Sequence, residues 1–313
     1  MDTAVMICGH GSRDPEAIAE FALVAAGIKA RLPAMAVETG YLEFARPTIR
    51  DGLEALKSRG ARRILAVPGM LFAASHIKND LPWEVNSFAA ANPAIELRFG
   101  RELAIEPKLL RAAADRIAAA RAERAVARAD TLLLVVGRGT NDPDANSNIA
   151  KLTRMLWEGT GFGWAETAFS GVASPLVEPA LRRVLRMGFR RVVVFPYFLF
   201  TGVLVKRIYA AVDRVAAVHP EVEFLKASYL RDHDLVLDCF ADRVGEIVDG
   251  EPRMNCQLCK YRSQVIGYEH DAGVPQAGHH HHVRGIGTDA DPAPHHHHGN
   301  GHDHDHDHDH DHG

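Results

Sequence analysis

The chain has 313 residues, of which 47% are hydrophobic and 24% charged, and its formal net charge is −4. This length suffices for two domains of ordinary size with a substantial core. The small negative charge argues against nucleic-acid binding, which needs a basic face. The N-terminus shows no export signal and no apolar run is long enough to span a bilayer, so we expect a cytoplasmic protein that binds neither nucleic acid nor membrane.

The first part of the chain alternates strand and helix four times. Apolar runs predict strands at Val5–Cys8, Ala36–Leu42, Arg63–Val67 and Ile95–Phe99. Helical apolar spacing and capping residues predict helices at Glu16–Leu32, Pro47–Arg59, Ser75–Ala90 and Pro107–Arg128. Such alternation predicts an α/β fold with a parallel sheet covered by helices on both faces.

The same pattern then returns at an offset of 128 residues. Strands are predicted at Leu132–Val136, Glu166–Ser170, Arg191–Phe195 and Val222–Leu225, and helices at Asp144–Trp157, Pro175–Met187, Val203–Val218 and Asp234–Val248. Gly and Pro positions keep the register without gaps: Pro15 matches Pro143, and Pro68 matches Pro196. We therefore predict two duplicated flavodoxin-like domains, residues 1–128 and 129–250, which face each other across a cleft, followed by a tail, residues 251–313.

Three polar side chains of the first half are missing from the second. His10 corresponds to Arg138, Glu43 to Gly171, and His76 to Leu204. Each of the three comes after a strand or at its end, so all can meet at the carboxyl edge of one sheet, where open parallel sheets bind ligands. Two imidazoles and a carboxylate form an open ligand set for a divalent first-row metal.

Other interpretations of these residues are simpler. A single histidine at a helix start is more often a cap or a surface residue, and a glutamate before a turn is usually solvated. Gly9-His10-Gly11-Ser12 is also similar to a phosphate-binding loop, but it lacks the lysine of a P-loop. The joint absence of the three side chains from the second half favours the metal site.

Basic and apolar residues surround the predicted cleft. Basic side chains could hold a ligand with several carboxylates, although any one of them is more simply a solvated helix start. Apolar residues follow each of the paired prolines and could form a wall for a flat hydrophobic ligand. The basic candidates are Arg13, Arg46, Lys78, Arg138, Lys206 and Arg207, and the wall candidates are Met70, Leu71, Phe72 and Tyr197–Phe200.

Cys256 and Cys259 form a Cys-x-x-Cys pair. The pair supplies two thiolates, whereas a zinc ion or an iron–sulfur cluster commonly takes four ligands. Cys8 and Cys239 could complete the set, but Cys8 has the pattern of a buried strand residue. A second chain could also donate the missing thiolates, which would make a homodimer through this segment.

The tail is dominated by Pro, Gly, His and Asp and should be disordered without metal. An expression tag is the simplest explanation of its histidines, but three blocks of different pattern favour a native metal-holding tract for Co²⁺, Ni²⁺, Zn²⁺ or Cu²⁺. The blocks consist of His279, His280, His281 and His282; of His295, His296, His297 and His298; and of His302, His304, His306, His308, His310 and His312.

Taken together, these motifs resemble the sirohydrochlorin chelatases, the class II chelatases of the cobalamin and sirohaem pathways. The resemblance lies in Gly9–Arg13, in Glu43 ahead of Ala45-Arg46-Pro47, and in His76 after Pro68, and it covers roughly residues 1–250. The two-domain length, the Cys-x-x-Cys pair and the His-rich tail are similar to the long-form cobaltochelatases of this family.

The resemblance implies a chelatase-type fold and ATP-independent insertion of Co²⁺ into sirohydrochlorin, a flat tetrapyrrole ringed by carboxylates. It implies that His10 and His76 bind the metal ion, that Glu43 assists, and that Cys256 and Cys259 hold an iron–sulfur centre. On chemical grounds the imidazoles or the carboxylate would also accept the two pyrrole protons that leave on insertion.

Other functions stay open at this stage. The same three ligands would suit Fe²⁺ insertion for sirohaem or Ni²⁺ insertion into another tetrapyrrole, because affinity order alone does not set metal selectivity. The tail favours a cobalt or nickel store or metallochaperone as a non-enzymatic alternative. Twin lobes are also typical of periplasmic-type binding proteins, against which the missing export signal argues.

Overall fold

The computed structural model describes residues 2–121, 126–250, 258, 264 and 266–272. Eight strands in these residues form two separate four-stranded sheets. The strands of the first sheet are β1 (Thr3–Gly9), β2 (Ala36–Tyr41), β3 (Arg63–Pro68) and β4 (Glu96–Phe99), and those of the second are β5 (Thr131–Gly137), β6 (Trp164–Phe169), β7 (Arg191–Pro196) and β8 (Glu223–Lys226).

Eight α-helices connect and flank the strands. They are α1 (Pro15–Arg31), α2 (Ile49–Ser58), α3 (Leu81–Ala91), α4 (Pro107–Ala120), α5 (Pro143–Thr160), α6 (Val177–Leu185), α7 (Val203–Val218) and α8 (Asp234–Asp249). Within the described ranges no helix combines the length and the apolar content that crossing a membrane requires.

The two sheets have the same topology. Their strand orders are β2-β1-β3-β4 and β6-β5-β7-β8, and every pair within them is parallel. Both central strands, β1 and β5, are buried almost throughout because helices cover both faces of each sheet. The predicted duplicated α/β fold is therefore confirmed.

The last helix of each half packs on the other half. α8 contacts β3 of the first sheet, and α4 contacts β7 of the second. Arg243 of α8, with only 1% of its side chain exposed, donates hydrogen bonds to the backbone carbonyls of Glu102 (3.0 Å) and Leu103 (2.7 Å). The two halves thus share one apolar layer, which runs from Val5 and Ile7 to Leu133 and Val135.

Several predicted helix boundaries differ from the structure. α2 and α6 each begin two residues later than predicted, and Thr48 caps α2 by accepting a hydrogen bond from the Asp51 N–H. α4 ends at Ala120 rather than at Arg128: although the Ala/Arg-rich sequence has helical propensity beyond this point, Ala127 is extended where the chain turns back toward β5.

The helix predicted from Ser75 begins as a single π-helical turn, His76–Asp80, ahead of α3. The backbone N–H of Leu81 donates to the carbonyl of His76 and closes this turn. π-turns are rare and are frequent at functional sites. The wider turn matters here because it carries one of the predicted metal ligands.

Candidate metal centre

His10 lies in the loop that follows β1. Gly11, with φ of +99°, turns this loop sharply, and a Cβ there would lie 1.7 Å from the carbonyl oxygen of Glu43. Only glycine therefore allows the β1 loop to approach the β2 loop so closely. The backbone N–H of Glu43 donates to the carbonyl of His10 at 3.0 Å and joins the two loops.

Glu43 and His76 complete a cluster with His10. The Nε2 atom of His10 lies 3.2 Å from Oε1 of Glu43, and the rings of His10 and His76 meet edge to face with 4.7 Å between their centroids. One donor atom from each of the three residues lies within 4.8 Å of the others. The structure thus brings together all three predicted ligands.

Strand order explains this convergence. β1 and β3 are neighbours in the sheet, but the chain leaves β1 toward β2 and leaves β3 toward β4. The two loops diverge at this switch point and leave a crevice between them, the usual place for a ligand in an open α/β sheet. His10 and His76 flank this crevice, and Glu43 lies beside it.

Both histidines engage their Nδ1 atoms away from the cluster. Nδ1 of His10 lies 3.1 Å from the backbone carbonyl of Gly11, and Nδ1 of His76 lies 2.7 Å from Oδ2 of Asp80. Each acceptor favours the tautomer with the proton on Nδ1, which leaves the Nε2 lone pair for a metal ion. Nε2 of His10 is buried and has no hydrogen-bond partner among the described residues.

Burial, helped by the nearby His76 and Arg138, lowers the pKa of His10 to about 4, although the Gly11 carbonyl opposes the shift. The imidazole is therefore neutral at pH 7 and ready to bind metal. Burial also raises the pKa of Glu43, although His76 and Arg138 act in the opposite direction. The neutral imidazole suits metal binding, and the carboxylate of raised pKa beside it suits proton uptake.

The donor set is of the type that first-row divalent ions bind, and one pair of donors has the spacing of two ligands on one ion. Two ligands that each lie about 2.1 Å from one ion are roughly 3.0–3.4 Å apart, and the His10–Glu43 distance falls in this range. Three protein ligands leave coordination positions open, as at sites where a substrate must bind the metal. The corresponding residues of the second half, Arg138, Gly171 and Leu204, offer no comparable set.

The cluster opens into a cavity of about 600 Å³ between the two halves. This volume lies in the range of small-molecule sites. Phe72 of the first half stacks on Tyr197 of the second at 5.7 Å, and Phe21 packs edge to face on Phe200 at 5.4 Å. The predicted apolar wall, Met70–Phe72 and Tyr197–Phe200, lines this cavity.

Two of the six predicted basic residues, Arg13 and Arg138, line the cavity. Arg13 lies over the ring of Phe44 with 4.6 Å from its Cζ to the ring centroid. Phe44, which sequence reasoning missed, has φ of +61° and follows Glu43 directly. Both arginines are exposed at the cavity and can reach an acidic ligand.

The other four predicted basic residues are not among those that line the cavity. Lys78 is buried with 1% of its side chain exposed, and its Nζ lies 2.6 Å from Asp142 and 3.3 Å from Asp144. The other three lie outside the cavity lining: Arg46 pairs with Asp51, Lys206 pairs with Asp14 and Glu16, and Arg207 points to solvent.

Asp80 is a second residue that sequence reasoning missed. It is 2% exposed and contacts His76 through the π-turn. Its counterpart at the offset of 128 is Ile208, so the comparison of halves that identified the three ligands would also have identified Asp80.

The cysteine and tail predictions have different outcomes. Cys8 and Cys239 are fully buried free thiols, and burial raises the pKa of each to about 12, which disfavours metal-binding thiolates. Cys256, Cys259 and the tail histidines from His279 to His312 lie outside the described residues.

Comparison with known proteins is consistent with this architecture. The family model described as CbiX matches residues 4–120 and again residues 132–247. A sirohydrochlorin cobaltochelatase from Priestia megaterium is 36% identical over 84% of this chain and 86% of its own length. A sirohydrochlorin ferrochelatase from the same organism is 30% identical over 75% of this chain and 86% of its length.

A solved structure, SirB from Bacillus subtilis with Fe³⁺, superposes with a TM-score of 0.69 at 29% identity and covers 80% of this chain and 96% of that one. The two matches to one family model agree with the duplicated sheets.

Proposed function

This chain belongs to the CbiX family, and from that premise we propose that it is a sirohydrochlorin cobaltochelatase, which inserts Co²⁺ into sirohydrochlorin without ATP. The observation that carries the proposal is the open His/His/Glu cluster at the edge of a cavity shared by both halves. The 36% identical cobaltochelatase supports the choice of tetrapyrrole and metal.

In this proposal His10 and His76 hold the substrate metal ion through Nε2, and Glu43 is the third ligand or a proton relay. Insertion releases two protons from the pyrrole nitrogens. Glu43 lies beside His10 and its pKa is raised by burial, so it is the better acceptor for these protons, whereas His10, whose pKa burial lowers, is neutral at pH 7 and serves as a ligand. An open set of three ligands holds the ion loosely enough for transfer to the macrocycle.

Sirohydrochlorin is flat and carries carboxylates at its rim, and the cavity offers matching surfaces. Phe72, which stacks on the buried Tyr197, can pack on the macrocycle face. Arg13 and Arg138 can pair with carboxylates, and each such charge-assisted contact contributes about 1.5–3 kcal/mol. Arg13→Ala or Arg138→Ala should raise KM roughly 10-fold or more, whereas Arg207→Ala, outside the cavity lining, should leave KM unchanged.

The decisive experiment follows the absorbance of sirohydrochlorin with Co²⁺, Fe²⁺ and Ni²⁺ in parallel, without ATP. We expect His10→Ala to lower the rate by at least about 10–100-fold, because loss of a group that only orients a metal ligand already has an effect of this size. His219→Ala, which removes a histidine paired with Glu221 on the surface, is the matched control. Near-normal turnover by a folded His10→Ala variant would overturn the assignment.

Fe²⁺ insertion is the second candidate, because a ferrochelatase relative is 30% identical over a similar length. The same assay separates the two: faster insertion of Fe²⁺ than of Co²⁺ at equal free metal would make this chain a ferrochelatase. Metal binding without any change in the tetrapyrrole spectrum would instead support a store or metallochaperone.

Four features stay predictions: an iron–sulfur cluster on Cys256 and Cys259, a homodimer through this segment, metal holding by the His-rich tail, and a cytoplasmic location. Truncation after Gly250 tests the tail. If the shortened protein still inserts metal at the full rate, the tail is auxiliary to insertion.

A further inference from the structure

Asp80 lies directly behind His76. Its Oδ2 atom is 2.7 Å from Nδ1 of His76, and the carboxylate is almost completely buried. The π-turn places the two side chains four residues apart, and the carboxylate contacts the ring through Nδ1, so Nε2 is the ring nitrogen left for a metal ion.

The two metal-ligand histidines are therefore held in different ways. His10 uses the backbone carbonyl of its neighbour Gly11, an acceptor that every sequence would supply. His76 instead uses an ionisable side chain, which fixes the ring orientation and strengthens Nε2 as a ligand.

The contact between Asp80 and His76 requires a buried carboxylate, which lowers the stability of the fold. Oδ1 of Asp80 is buried and accepts no hydrogen bond within the described part of the chain. A buried carboxylate with one unsatisfied oxygen destabilises the folded state. In the second half the matching position is occupied by Ile208, which is 1% exposed. Asp80 thus differs between the halves in the same way as the three ligands do.

We propose that Asp80 is a positioning residue that holds His76 in the Nδ1–H tautomer and turns Nε2 toward the substrate metal ion. This inference rests on the proposed function for its biological meaning, but the contact itself is independent of the tetrapyrrole.

Two variants test the inference. Asp80→Ile copies the second half and removes the acceptor, and Asp80→Asn keeps an acceptor oxygen without the charge. We expect the Co²⁺ affinity of the cluster in the tetrapyrrole-free protein, measured on the visible cobalt bands that His10→Ala abolishes, to fall about 10–100-fold for Asp80→Ile and less for Asp80→Asn. ¹⁵N chemical shifts of His76 should move from the Nδ1–H tautomer toward Nε2–H in Asp80→Ile.

Glu221→Gln is the matched control. It weakens another histidine–carboxylate contact, 2.9 Å between Nδ1 of His219 and Oε1 of Glu221, at the surface. Co²⁺ affinity should not change in this variant. Thermal unfolding of the metal-free proteins shows whether Asp80→Ile folds; if it does not, Asp80→Asn carries the test.

Unchanged Co²⁺ affinity in a folded Asp80→Ile protein, or an Nε2–H tautomer of His76 in the wild type, would overturn the inference. Failure of the proposed function looks different. In that case the wild type would bind Co²⁺ and lose affinity on substitution of Asp80, but would never alter the sirohydrochlorin spectrum.

Discussion

The Gly-x-Gly turn has a similar backbone in both halves, although only the first copy carries a proposed metal ligand. Gly11 and Gly139 have φ of +99° and +82°, and a Cβ on either would lie within 2 Å of the facing carbonyl of Glu43 or Gly171. The glycines and the loop after them define the shape of the turn. The chemistry depends on the side chains attached to that shape, so ligands can be exchanged without rebuilding the loop.

A pair of crossed ion pairs shows the same duplication with a different outcome. Lys78 of the first half pairs with Asp142 of the second at 2.6 Å, and Lys206 of the second pairs with Asp14 of the first at 2.8 Å. Lys78 is 1% exposed and Lys206 is 49% exposed. The Lys78–Asp142 pair is therefore buried between the halves, two residues along the chain from His76, whereas the matching Lys206–Asp14 pair is exposed to water.

The first prediction tests whether the first half folds without the second. Because α8 covers the first sheet and α4 covers the second, residues 1–128 alone should show no cooperative unfolding transition. Arg243, for example, would no longer reach the carbonyls of Glu102 and Leu103. Co-expression of residues 129–250 should restore the transition in urea. A sharp transition for residues 1–128 alone would show that each half folds by itself.

The second prediction compares the two ion pairs. Lys78→Met leaves two carboxylates buried without their cation and should cost about 3–5 kcal/mol in the free energy of unfolding. Lys206→Met removes an exposed pair and should cost about 1 kcal/mol or less. Urea denaturation measures both. Equal losses of unfolding free energy would mean that the buried Lys78 pair contributes no more stability than the exposed Lys206 pair.

The fold and the cluster of predicted ligands could be predicted from the sequence alone. Helical and strand periods, the offset of 128, and the paired glycines and prolines predicted the duplicated α/β fold. The polarity differences between halves selected His10, Glu43 and His76, which the structure brings together, because strand ends of one parallel sheet must share an edge.

Other features depended on contacts between halves, which local patterns do not contain. Lys78 resembles any basic residue at a helix start, and its burial against Asp142 appears only once the two lobes are docked. The packing of α8 on the first sheet and of α4 on the second cannot be predicted from local patterns for the same reason. Asp80 could have been identified by comparison with its counterpart Ile208. A carboxylate just inside a predicted helix, however, has the pattern of a solvated charge.

The third prediction concerns His10, whose counterpart Arg138 already places a positive charge in the cleft. In the metal-free protein burial lowers the pKa of His10 to about 4 from an ordinary 6.5, so the unfolded chain binds a proton first as the pH falls. Stability from neutral His10 is complete above pH 6.5 and is lost progressively down to about pH 4.

The ring keeps 31% of its surface exposed, so we expect a loss of about 1–2 kcal/mol between pH 7 and pH 5. Urea denaturation of wild type and His10→Asn at both pH values measures it: the variant should lose less stability by that amount. His219→Asn, on the surface, should keep the wild-type loss. If His10→Asn and wild type lose stability in parallel, the cleft does not oppose protonation of His10.

The smallest expected difference lies at the starts of α2 and α6. Thr48 and Leu176 occupy matching positions and form the same isolated bridge, to Tyr41 and Phe169 respectively. Only Thr48 caps its helix: its hydroxyl accepts from the Asp51 N–H at 3.2 Å, and Asp51 accepts from the Thr48 N–H at 2.8 Å.

Thr48→Ala should therefore cost about 1 kcal/mol in the free energy of unfolding, the usual contribution of an N-cap. Leu176→Ala should cost about 0.5 kcal/mol or less, because that side chain is 46% exposed and caps nothing. Thr48→Ser should retain most of the stability, since it keeps the hydroxyl. Because Thr48→Ser and Thr48→Ala both lose the methyl group, the difference between these two variants reports the hydroxyl, and equal losses in them would show that the cap adds nothing to the stability of the first half.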